Sequence, residues 1–174
     1  MKKLLLIFTL LFAITNHTSA QSAAKFGYVD TDYIMSQIPE YKAAQAELDK
    51  TSQQWQKEIE TKMAELEKLR KAYQADAILL TEEMKKKRES EIESREKEVQ
   101  ELQRKRFGVD GEFFKKRQEL VKPLQDKVYN AIKAVAEKNG IGFMMDKAGQ
   151  VALLYANSKY DKSDDVLVYL GYKK

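Results

Sequence analysis

Four cations in succession, Lys85-Lys86-Lys87-Arg88, follow closely on the apolar triplet Ile78-Leu79-Leu80, and this stretch holds the chain's densest chemical potential. That potential is adhesive. Lysine and arginine stems carry methylenes beneath a charged head, so this group, with Tyr73 and Met84 beside it, suits capture of acidic segments, anionic head groups or scattered apolar side chains. A solvated helix face is the plainer account of the same four residues. Bond-making chemistry has little to work with. The 174 residues include no cysteine, and the one histidine, His17, lies in an N-terminal export signal. The usual general base and the commonest transition-metal ligands are then missing from the remainder, and no GxxxxGK phosphate loop is present. Carboxylates are spread along helical stretches and do not converge. We therefore expect no enzyme, no metal and no cofactor.

The export signal has its usual three parts. Lys2 and Lys3 precede the apolar run Leu4 to Ile14, and Thr18-Ser19-Ala20 presents small residues before Gln21, so residues 1–20 read as a cleavable signal peptide. The run is shorter than the roughly 20 residues that span a bilayer. Without cysteine, neither a lipid-anchored form nor a disulfide-stapled domain is expected. Loss of Lys2 and Lys3 lowers the formal charge from +4 to +2, with signs interspersed, so no nucleic-acid partner is expected. Two prolines and no Ser/Gly linker point to a single domain over 21–174.

Most of that domain reads as two helical arms. Tyr41, Ala44, Leu48, Trp55, Ile59, Met63, Leu66, Leu69 and Tyr73 fall at spacings of three and four, a stripe as narrow as a coiled-coil seam. Charge density drops from Gln74 to Leu80, and Thr81 is placed to cap a second helix with Glu82 and Glu83 in its first turn. The second arm continues the seam through Met84, Ile92, Val99, Leu102, Val109, Phe113, Leu120, Leu124, Val128, Ala131 and Val135. Folding the arms antiparallel about Ala77 and Ile78 pairs Met63 with Ile92, Trp55 with Val99, Leu48 with Phe107 and Tyr73 with Glu82. At about 1.5 Å per residue the first arm reaches about 50 Å. At the tip, Ile78, Leu79 and Leu80 are expected to pack on Tyr73 and Met84, with contact to a bound chain or a bilayer as the alternative. Gly108 and Gly111 weaken the second arm and read either as a passive loop or as a hinge. Pro123 should kink the helix or begin a new one.

The ends of the chain supply a small body. Lys25 to Asp30 reads as a strand, Thr31 to Gln37 as a short helix, and Pro39 suits the first turn of the first arm. Asn139-Gly140 is a helix stop, after which Ile141 to Asp146 and Val151 to Ala156 read as a β-hairpin. Ser163-Asp164-Asp165 leads into a last helix, or a fourth strand. Three short strands make a marginal sheet, so we expect several copies of the chain to share one core built from Phe26, Tyr28, Val29, Ile141, Phe143, Met145, Val151, Leu153 and Tyr155. Asp30 and Asp146, at strand ends, read as caps for the following helix or turn.

Strand, helical hairpin, strand pair and terminal helix behind an export signal resemble the Skp/OmpH family of periplasmic chaperones. The resemblance rests on Phe26-Gly27-Tyr28-Val29-Asp30 with Tyr33-Ile34, on Val121-Lys122-Pro123-Leu124-Gln125-Asp126-Lys127-Val128 with Ala131-Ile132, on Ile141-Gly142-Phe143-Met144-Met145-Asp146, and on Asp164-Asp165-Val166-Leu167. It implies an α+β fold in which a long antiparallel coiled-coil hairpin, residues 39–114, stands as a prong on a small β-strand body, residues 25–38 and 115–174, completed by trimerisation. It further implies a periplasmic homotrimer that holds unfolded outer-membrane proteins between its prongs without ATP. Transient contact of the basic tip with anionic lipid head groups fits that location. The chain departs from the best-known, more basic members in its Gly108 to Gly111 interruption and near-balanced prong, with nine basic and eight acidic residues from Glu82 to Arg106. A periplasmic coiled-coil spacer or adaptor is the alternative, and it would need an apolar stripe on the hairpin's outer face.

Overall fold

The computed structural model describes residues 24–149 and 153–173. The expected signal peptide, residues 1–20, and Val151 of the expected shared core lie outside these residues. Strand β1 (Lys25–Val29) leads into helix α1 (Thr31–Gln37), and a long α2 (Pro39–Asp76) follows at once. After the tip come α3 (Glu82–Phe107) and α4 (Glu112–Asn139), then β2 (Ile141–Asp146), a single 3-10 turn (Ser158–Tyr160) and α5 (Ser163–Leu170).

Short-range chemistry sets most of the boundaries. The Asp30 carboxylate accepts from Tyr33 N–H at 2.9 Å and caps α1, and Pro39 occupies the first turn of α2, where its missing N–H leaves no gap. Thr81 caps α3 by accepting from Met84 N–H. Gly140 and Gly171 end α4 and α5 in the left-handed conformation, at φ 62° and 83°. The last helix is therefore a helix and not a fourth strand.

β1 and β2 pair in parallel, with Phe26 opposite Phe143 and Val29 opposite Asp146, and the whole prong serves as the crossover between them. The expected antiparallel hairpin is corrected here: residues 153–157 adopt no regular structure. The β2 partner is β1 because Asp146 is tied to the chain just after β1, accepting from Thr31 N–H at 3.1 Å and from the Thr31 hydroxyl at 2.7 Å. On its other side β1 is flanked by residues 161–163, where Lys162 N–H donates to the Tyr28 carbonyl at 2.8 Å.

One core lies under this sheet. Val29, Ile34, Met35 and Ile38 from the first segment meet Leu48 of α2, Val121, Val128, Ala131 and Val135 of α4, and Val166 and Leu167 of α5. Ile34, Ile38 and Val166 are completely enclosed, each worth roughly 1.5–3 kcal/mol of transfer free energy. That packing also explains Pro123. The residue neither ends α4 nor begins another helix, because buried Val121 and Val128 on either side of it, with Leu124 against the core, hold the segment in one piece.

Candidate functional site

The prong is built from α2 against α3 and the start of α4. Ala44, Leu48, Ile59 and Leu66 of α2 and Val99 of α3 are buried in its seam, and Trp55, Leu69, Tyr73, Ile92 and Leu102 are half-buried. The seam stripe was legible, but its register was not. Trp55 meets Phe107, with ring centroids 6.1 Å apart, Met63 meets Gln103, Arg70 pairs with Glu96 at 2.7 Å, and Tyr73 donates to Glu89 at 2.5 Å. The expected partners Ile92 for Met63, Val99 for Trp55, Phe107 for Leu48 and Glu82 for Tyr73 are thus displaced by two to three helical turns. α2 runs on to Asp76 and the turn occupies Ala77 to Leu80, so it opens at Ala77–Ile78 as expected, and it is the contacts along the seam that are centred beyond it. Val109, expected in the seam, stands fully exposed in the break between α3 and α4.

The tip exposes its apolar residues. Ile78 is 94% and Leu79 84% exposed, Met84 is also exposed, and only Leu80 and Tyr73 are half-buried. The expected packing of Ile78 and Leu79 on Tyr73 and Met84 does not form, because two helix ends joined by a short turn offer no third surface to cover them. Just below, Lys85 pairs with Glu82 at 2.8 Å and Arg88 with Glu91 at 3.1 Å. Lys86 and Lys87 have no ion-pair partner among the described residues. The basic knot is thus two paired and two unpaired cations.

At the opposite end of α3, four helical side chains converge on the glycine break. Gly108 closes α3, Asp110 takes the left-handed conformation at φ 59°, and Gly111 opens α4 with its N–H donating to the Gly108 carbonyl at 2.9 Å. A Cβ on Gly108 would lie 2.4 Å from the Arg104 carbonyl oxygen, and one on Gly111 would lie 2.9 Å from the Gly108 carbonyl oxygen, so both positions need glycine for close backbone approach. Arg106 turns in toward this joint. It donates to Glu112 of α4 and, at 3.1 Å, to Glu58 of α2, and its guanidinium lies 4.7 Å from the Trp55 ring centroid. Burial opposes the Arg106 charge, and the hydrogen bonds to Glu112 and Glu58 outweigh it and raise its pKa. The hydrogen bond from Arg106 holds the Glu112 carboxyl below its usual range. Sequence reasoning found the glycines but missed this cluster, whose members lie up to 57 positions apart; the Arg–Phe pair directly before Gly108 was the available signal.

The body presents a second exposed group. Phe26 and Phe143, 55% and 60% exposed, stack with centroids 5.5 Å apart, and Tyr155 and Leu154 stand open beside residues of the same body. Tyr28 and Val29 are buried within the chain, while Ile141, Met145 and Leu153 are half-buried. At the chain's far end, Tyr172 ties body to prong base: its hydroxyl donates to Glu40 at 2.9 Å and accepts from Lys127 at 2.9 Å. Among the described residues no cluster of His, Cys, Asp or Glu could hold a metal ion.

A long helical prong rooted in a two-stranded parallel sheet and clasped by a short terminal helix defines an elongated α+β class. Residues 25–170 match the family model described as Outer membrane protein (OmpH-like), and the chain belongs to that family. An uncharacterized protein from Aquifex aeolicus (strain VF5) is 31% identical over 167 residues, covering 96% of this chain and 94% of the relative. Among solved structures, a candidate outer membrane chaperone (OmpH-like) from Caulobacter crescentus CB15 superposes with a TM-score of 0.66 at 16% identity, over 90% of this chain and 89% of that one. The fold expected from the resemblance, long helices on a small two-stranded sheet, is thereby established for the single chain.

Proposed function

We propose that this protein is an ATP-independent periplasmic holdase that binds unfolded outer-membrane proteins in a cavity between the helical prongs of a homotrimer. The observation that carries the reading is the stacked Phe26–Phe143 pair, left open to solvent on a two-stranded sheet. An exposed aromatic pair on so short a sheet calls for a covering surface, and other copies of the same body would provide it. Three prongs rising from one shared body, residues 25–38 and 115–174, would then enclose a space walled by residues 39–114. Membership of the OmpH-like family supports this, and the fold is shared with the Caulobacter structure described as a candidate outer membrane chaperone.

An unfolded β-barrel protein aggregates when its strand edges meet, and a cage prevents that meeting. Its alternating apolar residues would rest on lysine and arginine stems and on the tip group Tyr73, Ile78, Leu79, Leu80, Met84, Lys85, Lys86, Lys87 and Arg88, through many weak contacts that select no conformation. Lys86 and Lys87, unpaired, would also meet anionic lipid head groups. Purified mature protein without ATP should keep a urea-diluted β-barrel protein soluble at stoichiometric amounts, read by light scattering. Unchanged scattering, with tight binding of one folded partner, would replace this reading with a spacer.

A further inference from the structure

We propose that Arg106 is the positioning residue of the prong: a charge clasp, rather than the glycines alone, sets how the outer prong is held on the body, and the clasp loosens with salt. α2 passes the joint unbroken, while its partner arm is divided into α3 and α4 at Gly108 to Gly111. Any swing of the outer prong must therefore change the relation of α3 to α4 at that break. Arg106 lies one residue inside α3, Glu112 is the first residue of α4, and Glu58 lies on the unbroken α2. One guanidinium thus links all three helices at the only interruption of the second arm.

Two kinds of contact close the joint, and they respond differently to salt. Trp55 meets Phe107 edge-on, and Phe107 meets Phe113 with centroids 5.8 Å apart, an apolar chain that salt does not weaken. The Arg106 pairs are only partly sheltered: the Arg106 side chain is 20% exposed, that of Glu112 34% and that of Glu58 41%. At 1 M ionic strength the screening length falls to about 3 Å, so these pairs weaken while the aromatic chain stays. Arg106 Nε is buried with no hydrogen-bond partner among the described residues. Lys105, 3.6 Å from the other oxygen of Glu112, shares that carboxylate with Arg106. Arg70–Glu96, farther out on the prong, bridges α2 and α3 only and has no break to hold.

The inference concerns the joint and stands whether or not the prong carries a bound chain. Amide hydrogen exchange on the full mature protein tests it, at 0.05 M and 1 M NaCl and corrected for intrinsic rates. The amides to follow are those of Gly111, bonded to the Gly108 carbonyl, and Lys115, bonded to the Gly111 carbonyl. In the wild type both should exchange about threefold faster at high salt. R106M should exchange fast at both salts, R106K should keep the salt response with part of the protection, and R70M should behave as wild type. Amides of residues 128–135 in the body core report global stability and should not change. Should R106M lower that core protection, the isosteric E58Q/E112Q pair takes its place with the same expectation. Wild-type protection that ignores salt, or R106M protection equal to wild type, overturns the clasp.

Discussion

Asp146 shows how much one side chain organises in this body. Its carboxylate accepts from Thr31 N–H, from the Thr31 hydroxyl and from Ala148 N–H, so it joins the end of β2 to the start of α1 and shapes the turn that follows. Hydrogen bonds to a charged group contribute about 1.5–3 kcal/mol each in sheltered sites and less where water competes. Asp146→Ala should therefore cost about 2 kcal/mol in chemical denaturation, with Asp146→Asn recovering part of it through its remaining carbonyl acceptor. A loss under about 0.5 kcal/mol would mean that the β1–β2 pairing does not depend on this link. At this scale the sequence was informative wherever partners are close in the chain. Asp30, Thr81, Gly140 and the turn role of Asp146 follow from residue type and the next three or four positions. The Thr31 link and the joining of Arg106 to α2 were illegible for the opposite reason: Glu58 lies 48 positions from Arg106 and Asp146 lies 115 from Thr31, and no local pattern encodes that.

Periodicity revealed both arms and the stripe along each, since burial of every third or fourth residue leaves a trace in composition. Register leaves a fainter one. Sliding two amphipathic helices by two turns matches apolar with apolar again, and the patchy seam of α3, with Val99 its one buried residue, penalises the slip weakly. The aromatic chain Trp55–Phe107–Phe113 at the joint marks the register, since the turn at Ala77 to Leu80 lies where composition places it and does not alone fix the slide. A double-mutant cycle distinguishes the two alignments. Trp55→Ala with Phe107→Ala should show a coupling of about 0.5–1.5 kcal/mol, whereas Trp55→Ala with Val99→Ala, the pairing expected from a fold at Ala77, should be additive within about 0.5 kcal/mol. Strand pairing was misjudged for a related reason. Two apolar runs flanking Lys147 to Gln150 look like a hairpin locally, yet β2 gains more by lying parallel to β1, where Asp146 and the core beneath are already in place.

The molecule as a whole divides its apolar surface unequally. Ile34, Ile38, Val166 and Leu167 close a core inside one chain, so the body is less dependent on partners for its interior than three short strands alone would suggest. What remains open is a surface: Phe26 stacked on Phe143, with Tyr155 and Leu154 in the same body. If three copies meet there, a charge on that stack disrupts assembly and spares the subunit's own core, because neither ring belongs to the buried cluster. Phe26→Asp with Phe143→Asp should then convert a particle of three chains into a folded single chain, read as a threefold fall in mass by sedimentation with the helical circular dichroism retained. The same variant should lose suppression of β-barrel aggregation, because lone prongs enclose nothing. A wild type that sediments as one chain removes the shared body and the cavity together. A variant that stays trimeric moves the interface away from this stack, and one that dissociates yet still suppresses aggregation shows that a single prong grips without enclosure.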